Sequence, residues 1–245
     1  MNDILDYFNI PQNCKATKKL KTYLLEQAPL KSAEKKILKE STKSIILQYI
    51  LNQSKINITK YEDEDKRYIE VYIMVIEVFN TQKIKQISSI IQSIFQKPII
   101  LIFQQDTNIS INITPKRINK SDTSKLVVED TFFTDWINLA DKSEIENDFL
   151  ESLNIQNQPY TDFLSFYTSY LDKIISFNTS KYSGNLDTNE EAKEILQEIQ
   201  KIETQILELK NKIKKETNFN DKVNLNIELK KLNDKKKGFK EQLCN

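Results

Sequence analysis

Two glutamates on predicted strands, Glu70 and Glu129, are the residues whose type and setting best suit catalysis. In one class of nuclease, carboxylates on neighbouring strands hold Mg²⁺, and the lysine of an E-x-K triplet steers the attacking water. No such triplet falls on a predicted strand, since Glu64-Asp65-Lys66 lies in an acidic loop and Glu34-Lys35-Lys36 on a helix. The two glutamates therefore indicate an unusual or degenerate carboxylate enzyme, and the alternative is that both are ordinary surface side chains.

A basic cluster follows Pro115 in the same half of the chain. It contains Lys116, Arg117 and Lys120, with Lys125 close by. Cations grouped in this way contact phosphates, and each contact adds to a salt-dependent binding energy. We take Lys116, Arg117 and Lys120 as candidate nucleic-acid-binding residues, against the alternative of a turn that is simply solvated.

The composition of the 245-residue chain excludes several other kinds of chemistry. There is no histidine, which is the usual general base and the commonest metal ligand. Two glycines cannot build a glycine-rich phosphate loop, and two cysteines, Cys14 and Cys244, cannot build a cysteine-rich zinc site. No cofactor or metal site is therefore expected. A net charge of +1 argues against a general nucleic-acid-binding protein.

The first half of the chain predicts two helices followed by a sheet. Helical spacing predicts a short helix within residues 17–27 and a longer one from Ser32 through Ile50. Alternating or continuous apolar runs then predict strands, with a helix between the second and third. The strands are expected at residues 54–60, 68–79, 99–104, 109–113 and 125–133, and the helix at residues 84–94.

This β-β-α-β-β-β order predicts an α+β fold with a mixed sheet and flanking helices. Further helices are expected at residues 141–153 and 160–177.

The C-terminal region carries two apolar seams with heptad spacing. Successive members are alternately four and three residues apart, and the second seam mirrors the first about Phe219. The pattern predicts an antiparallel coiled-coil helical hairpin that turns at residues 217–221. A parallel dimer through one helix is the alternative. The seam residues are Ile195, Ile199, Ile202, Ile206, Leu209, Ile213, Leu225, Leu229, Leu232, Lys236, Phe239 and Leu243.

These elements predict a globular α+β domain at residues 1–180, a linker at residues 181–187 and the antiparallel hairpin at residues 188–245. The first residues lack the basic region of a signal peptide, and no apolar run is long enough to cross a membrane. The expected location is therefore the cytoplasm.

The whole chain resembles the bacterial domain of unknown function family 4391. The resemblance is carried by the lysine-rich residues 15–21, by Lys97-Pro98-Ile99, by Thr134-Asp135-Trp136 and by a tail that runs from Glu216 to Lys230. Members of that family have no established catalytic residues. They are often encoded near helicases and DNA methyltransferases of restriction or phage-defence islands, which implies a role that depends on a partner.

Three functions follow from these observations. The first is a non-catalytic accessory subunit of such a complex, bound to a helicase or methyltransferase partner. The second is a nucleic-acid-binding adaptor that uses the basic cluster. The third is a degenerate or unusual carboxylate and metal enzyme around Glu70 and Glu129. The function we expect is the first, the non-catalytic accessory subunit. The sequence leaves open whether the protein also associates with itself.

Overall fold

The computed structural model describes residues 3–183, 190–216 and 218–242, which form two compact units, Met1–Ile174 and Ile175–Asn245. The strands are β1 (Lys15–Lys19), β2 (Thr42–Asn52), β3 (Tyr61–Glu62), β4 (Arg67–Tyr68), β5 (Glu70–Val78), β6 (Ile99–Gln105), β7 (Asn108–Ile113), β8 (Lys116–Asn119), β9 (Asp122–Val128), β10 (Phe132–Phe133) and β11 (Ile137–Asn138). The α-helices are α1 (Ile4–Phe8), α2 (Lys21–Glu26), α3 (Ser32–Ser41), α4 (Gln53–Ile56), α5 (Ile84–Ile94), α6 (Glu144–Ser152), α7 (Phe163–Ser183), α8 (Glu190–Lys215) and α9 (Phe219–Gln242).

The main sheet of the first unit has the order β1-β2-β5-β6-β7-β10, and β11 also pairs with β7. All of its strand pairs are antiparallel except β5–β6, which are parallel and are connected through α5. A parallel pair needs such a crossover, because the chain must return to the end of the sheet at which the first strand began. The remaining four strands form two two-stranded sheets, β3–β4 and β8–β9. The predicted α+β class with a mixed sheet is confirmed.

Helices α2, α3 and α5 contribute to an apolar core on one face of the main sheet. Alternate residues of β5 and β6 point into this core, as the two-residue period of a strand requires. The buried members of the core are Leu24, Ala28, Leu38, Ile45, Leu47, Met74, Ile76, Val78, Ile84, Ile87, Ile90, Ile91, Ile99, Leu101 and Phe103.

The start of α7 is joined to the sheet through a buried tyrosine. The hydroxyl oxygen of Tyr167 lies 3.0 Å from the carbonyl oxygens of both Ile99 and Thr114 and accepts a hydrogen bond from the Thr114 backbone N–H. Its ring also packs against Tyr68. A buried hydroxyl must find such partners, so these bonds hold the first turns of α7 against β6 and the end of β7.

Two helix predictions in the first fifty residues are wrong in part. The long helix ends at Ser41, and residues 42–52 form β2, in which Ile45, Leu47, Tyr49 and Leu51 are buried at alternate positions. Pairs of apolar residues at 45–46 and 49–50 fit a helical and a strand period equally well, and pairing with β5 decides between them. The short helix begins only at Lys21, because residues 15–19 pair with β2 as an edge strand.

Three further boundaries differ from prediction. Residues 53–56 form α4 instead of a strand, and Asn57 ends that helix in a left-handed conformation. The single strand expected at 125–133 is divided into β9 and β10, which belong to different sheets. Residues 181–183, expected in the linker, are the last residues of α7, and the other linker residues, 184–187, lie outside the described residues.

In the second unit, α8 and α9 pack against each other as an antiparallel hairpin with residues 216–218 between them. Burial follows the heptad seam. In α8, Ile199, Ile202, Ile206 and Leu209 are buried, and Ile195 and Ile213 are half-buried. In α9, Leu225, Leu229, Leu232, Lys236 and Phe239 are half-buried, and every other α9 residue whose burial is described is exposed. Leu243 lies outside the described residues.

Candidate functional site

Lys116, one of the candidate nucleic-acid-binding residues, is buried. Only 1% of the residue is exposed, and its Nζ donates hydrogen bonds to the carbonyl oxygens of Phe95 and Lys97, each at 2.7 Å. These carbonyls follow the last turn of α5, where helix carbonyls lack partners within the helix and carry partial negative charge. The Lys116 ammonium therefore caps α5 and is not available to a phosphate. The prediction that Lys116 binds nucleic acid is corrected for this reason.

The alternation of β8 explains this burial. Lys116 and Ile118 point inward and are buried, whereas Arg117 and Asn119 are half-buried. The sequence contained this signal, because Lys116 is two residues from an isoleucine and so shares its side of any strand. Burial without an acidic partner lowers the pKa of Lys116 to about 7.

Arg117 and Lys120 lie at a charged pocket between the two small sheets. The pocket has a volume of about 460 Å³ and is lined by Asp65, Lys66, Arg117, Lys120 and Glu129. A hydrogen bond of 2.6 Å from the Ile118 backbone N–H to the Asp65 carbonyl oxygen holds its walls together. The pocket combines three cations with two carboxylates. It thus brings together two of the three candidate basic residues with one of the two candidate glutamates.

Glu129 forms an ion pair inside this pocket. Its Oε2 lies 2.5 Å from Lys66 Nζ, and both side chains are about one-third exposed. Lys125, the remaining member of the basic cluster, pairs with Asp122 at 2.7 Å. Two of the four cations of the basic cluster, Lys116 and Lys125, are therefore buried or paired in the fold, and Arg117 and Lys120 remain at the pocket.

Glu70, the other candidate catalytic residue, pairs with a different lysine. Its Oε1 lies 2.9 Å from Lys97 Nζ, and its side chain is 19% exposed. The Tyr72 hydroxyl also donates to Glu70 at 3.4 Å, and burial, assisted by the Glu70 charge, raises the pKa of Tyr72. The backbone carbonyl of Lys97 accepts from Lys116, so Glu70 and the buried lysine flank the same loop.

The arrangement of these carboxylates does not form a metal site of the nuclease type. Within residues 3–183, 190–216 and 218–242, no three side chains among cysteine, aspartate and glutamate are grouped so that they could hold a metal ion. Each candidate glutamate instead neutralises a lysine, and a divalent ion would have to displace that lysine before it could bind. What the geometry supports at both positions is electrostatic cross-linking of loops and strands.

Lys66 and Lys97 are the residues of this region that sequence reasoning missed. Both are ordinary lysines in the sequence, and their partners are 63 and 27 residues away along the chain. No local pattern identifies pairs at such separations.

A second candidate surface lies at the turn of the hairpin. A pocket of about 470 Å³ is lined there by Lys212, Glu216, Asp221, Asn224 and Leu225. Leu225 is half-buried and is the first residue of the α9 seam, so the pocket lies at the end of the seam nearest the turn. Its lining combines this leucine with two carboxylates, one lysine and one amide.

None of the helices in the described parts of the chain is both long enough and apolar enough to cross a membrane.

The family described as Domain of unknown function (DUF4391) matches residues 8–235. The curated proteins and the solved structures contain no match to the chain.

Proposed function

Because the chain belongs to domain of unknown function family 4391, we propose that it is a non-catalytic interaction subunit of a bacterial phage-defence or restriction-type complex. The expected partner is a helicase or methyltransferase, and the expected compartment is the cytoplasm. The resemblance supports the type of complex, and the hairpin supports the mode of binding.

Unequal burial along the hairpin seam is the observation that carries this proposal. Four seam residues of α8 are at most 8% exposed, whereas the seam residues described in α9 are only half-buried. A groove with apolar residues at heptad spacing is the usual receptor for an amphipathic helix. A partner helix laid beside α9 would complete the burial of Leu225, Leu229 and Phe239.

The hydrophobic contribution of such a contact is substantial. Full burial of a leucine or phenylalanine side chain stabilises by about 1.5–3 kcal/mol, so completing a half-buried one contributes roughly 1 kcal/mol. Three such residues contribute about 3 kcal/mol, so further contacts around them must supply the rest of the cost of association.

Copurification tests the proposal. Tagged protein is recovered from its native host with and without nuclease treatment, and the bound proteins are identified. We expect a helicase or methyltransferase that survives nuclease and that is reduced by Leu225→Gln, which places a polar group in the groove. Asn233→Gln, at an exposed position of the same helix, is the matched control and should retain the partner.

Two results would contradict the proposal. One is recovery of the chain alone under both conditions, and the other is equal loss of the partner in both variants. Circular dichroism of each variant establishes that the hairpin is still folded.

A nucleic-acid-binding adaptor is the second candidate function, and the charged pocket favours it. Arg117 and Lys120 lie at one rim of this pocket, and neither has an ion pair with a carboxylate among the pairs described. In a fluorescence-anisotropy titration with labelled DNA and RNA, Arg117→Ala combined with Lys120→Ala should reduce the salt dependence of binding by about two phosphate contacts. Lys39→Ala on α3 is the control. Binding that both sets of changes leave unaltered would exclude this role for the pocket.

A further inference from the structure

Two of the three cations in the charged pocket have no carboxylate partner. Nη1 of Arg117 makes one long contact, of 3.4 Å, to the backbone carbonyl oxygen of Ile118, and Lys120 makes no hydrogen bond or ion pair with any described residue. Lys66 differs, because Glu129 neutralises its charge. Arg117 and Lys120 therefore leave a local positive charge that an anion can neutralise.

Asp65 gives the same pocket a hydrogen-bond acceptor. Its backbone N–H donates to the Asp63 carboxylate at 2.8 Å and its carbonyl oxygen accepts from Ile118, so the main chain is held on both sides. The Asp65 carboxylate is exposed and has no partner within the described parts of the chain. An ionised carboxylate only accepts hydrogen bonds. A ligand that suits the whole lining thus carries an anionic group for the two cations and a hydroxyl group for Asp65.

The two small sheets that form the walls of the pocket are cross-linked. The Lys116 backbone N–H donates to the Tyr68 hydroxyl at 2.9 Å, and Nη1 of Arg67 donates to the Thr123 carbonyl oxygen at 3.0 Å. These bonds join β4 to β8 and β9. A pre-formed site costs less entropy to fill than a site that must first be assembled, so the cross-links favour binding of a small ligand.

The lining and its surroundings select a compact ligand. All five lining residues are charged, so a nucleobase would find no aromatic side chain there on which to stack. The residues next to two of the walls, Glu64 and Asp130, are exposed carboxylates. A nucleic-acid backbone that continued beyond the pocket would meet these charges, and like charges across an interface are unfavourable. A small anion contacts Arg117 and Lys120 without crossing this acidic rim, and the volume of about 460 Å³ is ordinary for a small-molecule site.

We propose that the charged pocket binds a phosphorylated sugar, with the phosphate monoester between Arg117 and Lys120 and a sugar hydroxyl group donating to Asp65. A phosphate monoester carries about 1.5–2 negative charges at pH 7, which matches two cations better than the single charge of a carboxylate. The planar guanidinium of Arg117 suits two phosphate oxygens at once. The ligand occupies the pocket considered for the nucleic-acid adaptor but needs no polymer, and it is independent of the protein partner proposed for the hairpin.

Isothermal titration calorimetry of the full chain tests the site. The probe is ribose phosphorylated on its primary hydroxyl, called ribose phosphate here, and the comparison ligands are ribose, inorganic phosphate, L-glutamate and a single-stranded oligonucleotide with a terminal phosphate. Ribose phosphate should bind at one site and more tightly than each of the others. Arg117→Ala and Lys120→Ala each remove one cation and should weaken this binding by about tenfold. Lys39→Ala, which removes an exposed cation from α3, is the control and should bind like the unchanged protein.

Asp65→Ala tests the contact to the sugar. The change removes an acceptor for the hydroxyl group and also a charge that repels phosphate. Inorganic phosphate should therefore bind at least as tightly as before, whereas the preference for ribose phosphate over inorganic phosphate should fall by about fivefold or more. Circular dichroism of each variant establishes that it is folded.

Several results would overturn the proposal. One is an unchanged protein that does not bind ribose phosphate at low salt, and another is binding that neither Arg117→Ala nor Lys120→Ala weakens. Tighter binding of the oligonucleotide would assign the pocket to nucleic acid, and tighter binding of L-glutamate would assign it to a carboxylate ligand. A preference for ribose phosphate that survives Asp65→Ala would overturn the role of Asp65.

Discussion

Replacing Lys116 with methionine should make the stability of the protein respond differently to pH. Lys116 is 1% exposed, and burial lowers its pKa from 10.5 to about 7 in the folded chain. Between these two values the unfolded chain holds a proton that the folded chain has released. Raising the pH therefore favours the folded state of the unchanged protein, and below about pH 7 the full cost of burying the charge remains. The Lys116→Met variant has no proton to release at this position.

The expected size of this pH dependence follows from the two pKa values of Lys116, about 7 in the folded chain and 10.5 in the unfolded chain. Each pH unit across the window contributes about 1.4 kcal/mol, so between about pH 6 and about pH 9 the unchanged protein should gain about 3 kcal/mol relative to Lys116→Met. Burial raises the pKa of both nearby tyrosines, Tyr68 and Tyr167, so their hydroxyls stay protonated throughout this window. The loss of two hydrogen bonds to carbonyl oxygens also lowers the stability of the variant, but by an amount that does not depend on pH.

Urea unfolding followed by circular dichroism measures the difference at each pH. The quantity of interest is the change with pH in the stability difference between the two proteins, because ionisations shared by both cancel. Lys60→Met, at an exposed position, is the control and should give a difference that is nearly constant. A Lys116→Met difference that changes by less than about 1 kcal/mol across the window would refute the reasoning, because it would mean that the buried ammonium keeps its ordinary pKa.

Three further predictions concern stability and are checked by the same unfolding measurement. Asn112→Ala should destabilise by about 2–4 kcal/mol, because the side chain that accepts from Ser88 and Gln92 inside the core is lost, and a change within about 0.5 kcal/mol would contradict the buried network. A double-mutant cycle with Glu70→Gln and Lys97→Met should give a coupling of about 0.5–1 kcal/mol, whereas zero coupling would mean that the 2.9 Å ion pair contributes nothing. Thr17→Asn should stabilise by about 0.5–1 kcal/mol, since a β-branched residue is strained at a φ of 47°, and destabilisation would show that Thr17 makes compensating contacts.

The parts of the fold that sequence predicted correctly are those where one period is unambiguous. Residues 70–78 and 99–105 form long apolar strands, and residues 84–94 repeat isoleucine at helical spacing. The hairpin was equally clear, because its two mirrored seams specify both the helices and their antiparallel order. In these segments local pattern and tertiary packing favour the same structure, so either alone is sufficient.

The sequence predicted the wrong structure where a short segment fits both a helical and a strand period, or where a single residue decides where a helix or strand ends. Residues 45–50 fit a helix, yet the neighbouring strand β5 offers hydrogen-bond partners along their whole length. Residues 54–58 alternate like a strand, but none of the strands in the described residues pairs with residues 53–56, which close a helical turn instead. In both cases the choice depends on what lies next to the segment in space, and propensity cannot supply that.

The sequence by itself determined the α+β class, the C-terminal helical hairpin, and the lack of histidine and of glycine loops on which common catalytic sites depend. Only the tertiary structure decided what the charged residues do. It buried Lys116 against the end of α5 and paired Glu70 with Lys97 and Glu129 with Lys66. The physical reason is the separation along the chain between the residues that interact. Helix and strand periods are set by neighbours a few residues apart, whereas an ion pair or a buried charge depends on segments that meet only after the chain has folded.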